Sequence, residues 1–134
     1  MKKTIIITAT IFLALISILF FNLYQKTEKQ SFQTITAAKA KEMIDQNPNV
    51  IILDVRTNEE YLEGHIENAT LLPYDTIPQQ AEITLPDTSS TILVYCRSGR
   101  RSAIAAQSLV DLGYSNVYDF GGIIDWPYSV VTGE

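Results

Sequence analysis

Thr91-Ile92-Leu93-Val94-Tyr95-Cys96-Arg97-Ser98-Gly99-Arg100-Arg101-Ser102 is the stretch on which the fold turns. Its first five residues form an apolar, β-branched run, the pattern of a strand covered on both faces. From Arg101 to Leu112 the chain reads as a helix closed by Gly113. A loop between a strand and a helix can turn its backbone N–H groups inward, and the helix start adds positive potential, so the junction makes a cradle for an anion. Cys96 stands at the lip of that cradle. Gly99 suits the close backbone approach the loop needs, and Arg97, Arg100 and Arg101 add charge. All these terms favour thiolate over thiol: helix N-termini and cationic neighbours lower a cysteine from about 8.5 to about 3.5–7.5.

Outward from this stretch the pattern repeats. Val50-Ile51-Ile52-Leu53-Asp54-Val55 is a second apolar run, and Phe32–Ile35, Thr70–Leu72 and Asn116–Asp119 are shorter candidate strands. Helix-like stretches alternate with them: Ala37 to Gln46 after Thr36 as N-cap, ended by Asn47-Pro48, and Asn58 to Leu62 after Thr57. Alternation of this kind predicts an α/β fold around a mostly parallel sheet, with its reactive edge where strands run out into helices. There is no internal repeat or low-complexity segment.

The front of the chain is different. From Thr4 to Gln25 no side chain is charged, and about 22 helical residues span about 33 Å, enough to cross a bilayer. Lys2 and Lys3 precede the run, which by the positive-inside rule keeps the amino terminus cytoplasmic and places the rest outside. The run ends in bulky Phe20, Phe21, Leu23 and Tyr24, and the nearest Ala-x-Ala pattern, Ala38-Lys39-Ala40, lies inside a predicted helix. An uncleaved single-pass anchor in the cell membrane is therefore expected over secretion after signal cleavage. The organisation that follows is an anchor at 1–25, a polar linker at 26–31 and one domain at 32–134.

Within 32–134 six cations, Lys39, Lys41, Arg56, Arg97, Arg100 and Arg101, face fourteen acids, all fifteen of the chain except Glu28. So acidic a domain is a poor match for nucleic acid. Half of its cations nevertheless fall between Cys96 and Arg101. A single cysteine and a single histidine exclude an internal disulfide and a Cys- or His-rich metal cage, and no cofactor is called for. A lone cysteine at a strand end is commonly a small buried hydrophobe. An inert thiol gains nothing from three arginines, a glycine and a helix start.

These residues, together with Asp54-Val55-Arg56, Glu60-Tyr61, Gly64-His65-Ile66 with Ala69, Leu112-Gly113-Tyr114, and Gly121-Gly122 with Trp126, make residues 32–128 resemble the rhodanese-like family of sulfurtransferases. The resemblance implies a five-stranded, mostly parallel sheet flanked by helices and a six-residue active loop, Cys96 to Arg101. It implies that Cys96 takes sulfane sulfur from a donor such as thiosulfate and passes it to cyanide or a thiol, small or protein-borne. It further implies that N–H groups of residues 97 to 101 hold the persulfide and that Arg101 contacts the donor; Arg97 and Arg100 stay open between donor and solvent. His65 is expected in a structural turn, Asp54 and Arg56 in a structural ion pair or turn cap rather than in a pairing of Asp54 with a loop arginine, and Trp126 over the end of the core.

Every species in such a cycle is an anion, so fixed N–H donors and arginines suffice without a separate base. Cysteine phosphatases place five residues between cysteine and arginine; here there are four, a ring better sized for one sulfur atom than for a phosphoryl group. A sulfur-carrier or redox-sensing module with little turnover is the alternative reading.

Overall fold

The computed structural model describes residues 1–25 and 30–133. Ile51–Asp54 (β2) and Thr91–Cys96 (β4) form the middle of a five-stranded sheet, as their continuous apolar runs require. Gln33–Thr34 (β1), Thr70–Leu71 (β3) and Asn116–Gly122 (β5) complete it in the order β1-β5-β4-β2-β3. All four pairings are parallel, so the mostly parallel sheet expected is parallel throughout. Parallel neighbours need crossovers, supplied by Ala37–Gln46 (α2), Asn58–Glu63 (α3), Ile77–Thr84 (α4) and Arg100–Asp111 (α5).

Helix α2 has the predicted bounds, and Thr36 caps it by accepting the Lys39 N–H. Helix α3 runs one residue beyond expectation, started by a reciprocal capping box between Thr57 and Glu60. Helix α4 was not foreseen: Pro78 reads as a breaker, but it falls in the first turn, where its missing N–H costs nothing. Ile77 and Ala81, one turn apart, bury the inner face of α4 beside Leu85. Helix α5 begins at Arg100 rather than Arg101, and β4 extends to include Cys96.

The side-chain alternation of β4 sorts the core into two layers. Ile92, Val94 and Cys96 pack with Leu53, Val55 and residues of α4 and α5. Leu93 and Tyr95 pack on the other face with Ile52, Ala40 of α2, Ile66, Phe120 and Trp126. Cys96 therefore shares its face of the sheet with α5.

Lys2–Gln25 (α1) is one continuous helix, and Ile6–Tyr24, with mean hydropathy 2.4, is long and apolar enough to cross a membrane. None of that span is buried against the rest of the chain. Thr10 and Ser17 donate their hydroxyls to the carbonyls of Ile7 and Ala14, which satisfies both inside the helix. Of the expected linker, 26–29 lie outside the described residues.

Candidate active site

The loop between β4 and α5 is built around a left-handed turn at Gly99, φ 103°, a conformation that glycine takes without steric cost. The turn carries the Gly99 N–H back to Cys96, where it donates to Sγ at 3.0 Å. No side chain caps α5, so the open N–H groups of its first turn are available to an anion. Burial pushes the Cys96 thiol up. The Ser102 hydroxyl and the N–H groups of Ser102, Gly99 and Ser98 outweigh it, and the net direction is below the ordinary thiol value. The Ser102 Oγ also lies 3.0 Å from Gly99 O and 3.3 Å from Gly121 O, acceptors that compete with the sulfur for its single proton.

Strand β5 supports the loop from behind. Register with β4 slips between Val94↔Asp119 and Cys96↔Gly122, a bulge that leaves Gly121 at φ 88° with its N–H donated to Asp119 Oδ1. Gly122 then passes directly beneath Arg97: a Cβ there would lie 2.2 Å from Arg97 O and 2.6 Å from Ser98 Cα. Ile124 N–H donates to the same Arg97 carbonyl at 3.3 Å. Sequence reasoning ended β5 at Asp119 and gave Gly121-Gly122 no part in the loop, although paired glycines inside a strand pattern signal a bulge or a close backbone approach.

The loop arginines divide. Arg97 and Arg100 are exposed, as is Ser98. Arg101 is half-buried and donates through both terminal nitrogens to Glu60, Nη1 to Oε2 at 2.7 Å and Nη2 to Oε1 at 2.8 Å. The expectation that Arg101 meets a donor is thereby narrowed to its remaining N–H groups. Glu60, quoted from the sequence only as part of the resemblance, is the carboxylate at this site. The hydrogen bond from Arg101 holds its carboxyl at about 2, against the opposing effect of burial. The Arg101 guanidinium is raised in turn by Glu60, and also by its electrostatic interaction with Cys96.

On the far face of β4 the other polar residues fall into a scaffold. Asp54, fully buried, accepts from Arg56 Nε and Nη2 and from the Tyr95 hydroxyl at 2.6 Å. Tyr95 in turn accepts the Ile66 N–H, and Arg56 Nη2 reaches Gly64 O. Burial, helped by the Asp54 charge, pushes the Tyr95 phenol well up. His65 stacks on Tyr61, with ring centroids 3.6 Å apart, its Nδ1 lies 2.8 Å from Tyr61 O, and its backbone pairs with Val131. Trp126 closes the core against Phe120 and Tyr128 and borders a cavity of about 140 Å³ that includes no loop residue. The side-chain hydrogen bonds of Asp54, Arg56 and His65 stay within this scaffold, and the Asp54 charge reaches the loop only electrostatically, at Arg101.

This layout has close counterparts. Rhodanese-like domain protein from Staphylococcus aureus superposes with a TM-score of 0.66 at 31% identity, covering 77% of this chain and all of that one. Rhodanese with anions from E. coli gives 0.59 at 32% identity, over 63% of this chain and 99% of that one. In sequence, thiosulfate sulfurtransferase PspE of Escherichia coli (strain K12) is 34% identical over 73 residues, 54% of this chain and 70% of the relative. The tRNA uridine(34) hydroxylase of Photorhabdus laumondii is 35% identical over 97 residues, 69% of this chain but only 27% of that enzyme's length. The family profile described as rhodanese-like domain matches residues 36–127, from the N-cap of α2 to the residue after Trp126, and the chain belongs to that family.

Proposed function

We propose that the domain is a sulfurtransferase in which Cys96 accepts sulfane sulfur as a persulfide and hands it to a thiol. The observation that carries this reading is the Gly99 N–H donated to Cys96 Sγ at 3.0 Å, in a loop that opens onto the uncapped start of α5. The 70% coverage of a relative named thiosulfate sulfurtransferase supports it.

The Cys96 thiolate attacks the outer sulfur of the donor, a new S–S bond forms, and the old one breaks with its electron pair leaving on sulfite when the donor is thiosulfate. An acceptor thiolate then attacks the outer sulfur of the persulfide, and Cys96 departs as thiolate. The thiolate and the persulfide that replaces it both hold a negative charge within the loop, where the N–H groups of Ser98, Gly99 and Ser102 lower the thiol. Gly99 and Ser98 serve the bound sulfur through their backbone, and Arg97, Arg100 and Arg101 surround the approach. Cys96 is only 1% exposed, so the donor and acceptor that reach it are slender: a small sulfane anion, and a thiol on a flexible small molecule or an extended protein segment.

Helix α1 holds the domain to the membrane as an uncleaved single-pass anchor, with the domain on the extracytoplasmic side. Its support is the wholly exposed apolar span after Lys2 and Lys3.

The test is intact-mass measurement of the detergent-solubilised chain after thiosulfate treatment. A gain of about 32 Da that is absent from Cys96→Ser is expected, followed by multiple turnover with a thiol. The loading rate should rise with pH and level off below the ordinary thiol value of about 8.5. No mass gain with any sulfane donor would refute the reading, and loading without turnover would favour the carrier.

A further inference from the structure

Glu60 lies on α3, outside the loop, yet it pairs with Arg101, whose guanidinium interacts electrostatically with Cys96. It is anchored at both ends of its carboxylate. Oε1 and Oε2 each take one terminal nitrogen of Arg101, and Oε2 also accepts the Thr57 N–H at 3.1 Å while the Glu60 N–H donates to Thr57 Oγ1. With its carboxyl held at about 2, Glu60 is ionised wherever Cys96 is a thiolate. Arg97 and Arg100 stand exposed, where solvent screens them.

The donor's own charge decides what this arrangement does. Thiosulfate brings two negative charges to the thiolate, and the products, persulfide and sulfite, carry the same total of three. A thiosulfonate, R–SO₂–S⁻, brings one; the thiolate attacks its outer sulfur, and the S–S bond breaks with the pair on a sulfinate, R–SO₂⁻. A free guanidinium beside Cys96 would favour the dianion most. Paired with Glu60, that guanidinium contributes little net charge, and the backbone N–H groups that remain serve one negative charge as well as they can.

We infer that Glu60 is a specificity-determining residue which, by offsetting Arg101, tilts the loop toward sulfane donors of single negative charge over dianions such as thiosulfate. The inference rests on Cys96 being the sulfur-accepting nucleophile.

The test is steady-state kinetics of the full chain in detergent with thiosulfate and with methanethiosulfonate, for the wild type, Glu60→Gln and Glu60→Asp. Glutamine at this position keeps the capping box and loses the charge; aspartate keeps the charge and shortens the arm. Glu60→Gln should lower the KM for thiosulfate about threefold to fivefold with kcat little changed, leave that for the thiosulfonate within about twofold, and so shift the donor ratio; Glu60→Asp should keep the wild-type ratio. A ratio unmoved in Glu60→Gln, or moved more in Glu60→Asp, would overturn the inference while leaving the sulfurtransferase reading intact. Sulfur uptake from neither donor by the wild type would overturn both. The unsubstituted chain gives an independent readout: methanesulfonate should compete with the donor at least as well as sulfate, and sulfate competing more than about tenfold better would also overturn it.

Discussion

Tyr95 and Cys96 are neighbours that face opposite sides of the sheet, and beside them stand two arginine–carboxylate pairs built to different rules, one buried in the Tyr95 layer and one joining α3 to α5 at the loop. On the Tyr95 side the Arg56 and Asp54 side chains are 6% and 0% exposed. Charges taken that far out of water survive only if their hydrogen-bonding capacity is met. Asp54 accepts from the Arg56 N–H, from Nε and Nη2, and from Tyr95, while Arg56 Nη2 also reaches Gly64 O. Burial works against the Arg56 charge, and the hydrogen bond and charge of Asp54 more than restore it. At the loop, Arg101 of α5 and Glu60 of α3 are 20% and 25% exposed. Water shares the work there, so the second pair costs little to form and little to change. The buried pair fixes the end of β2 against the turn at Gly64; the outer pair is free to adjust the chemistry beside it.

The largest effect expected follows from that contrast. Asp54→Ala leaves the Arg56 guanidinium buried without its counter-charge and should destabilise the domain by about 3–5 kcal/mol, read from denaturant unfolding. Glu60→Ala should cost about 1 kcal/mol or less in the same measurement. Similar losses for the two would erase the distinction drawn between the pairs.

Next in size is Gly122→Ala, which acts directly on the backbone of the loop. Its new methyl would meet backbone atoms of Arg97 and Ser98 rather than flexible side-chain ends, so the loop itself must move. Overpacking of this kind costs about 1–3 kcal/mol. The sharper readout is the thiol: as the Gly99 N–H moves off Sγ, the Cys96 titration followed by thiolate absorbance should shift upward and sulfur loading should slow. Asp54→Ala, measured where it remains folded, should leave that titration in place. A Gly122→Ala chain with unchanged titration would show that the loop keeps its shape without support from β5.

The two sides also differed in how legibly the sequence announced them. β2 and β4 stood out because strands buried on both faces are apolar without interruption, and α2 could be bounded to the residue because Thr36 and Asn47-Pro48 mark its ends. The loop residues could be named because charge and glycine are concentrated there. What stayed hidden depends on which distant residues the fold brings together. Glu60 and Arg101 lie 41 positions apart, and Gly122 reaches the loop only through a bulge in β5. Nothing local in Asn58–Glu63 distinguishes Glu60 from Glu59 or Glu63 except its place three residues after Thr57, a capping signal. Helix α4 was obscured by Pro78, although the spacing of Ile77, Ala81 and Leu85 carries a helical period.

The smallest effect tests the outer pair as a charge interaction. The Glu60 carboxyl sits at about 2 in the folded chain against an ordinary value of 4.5. Because the folded value is the lower one, the stabilisation is fully present above pH 4.5 and is lost as pH falls from there toward 2. A pair with a fifth to a quarter of its side-chain surface in water contributes under about 1 kcal/mol. Thermal unfolding of wild type and Glu60→Gln across this range should therefore show a small advantage for the wild type at neutral pH that narrows with acid and closes near pH 2. Glutamine preserves the cap on α3, so a gap that persisted unchanged into acid would trace to the shape of the side chain. Arg101 would then be held by fit rather than by charge, and the outer pair would follow the same rule as the buried one.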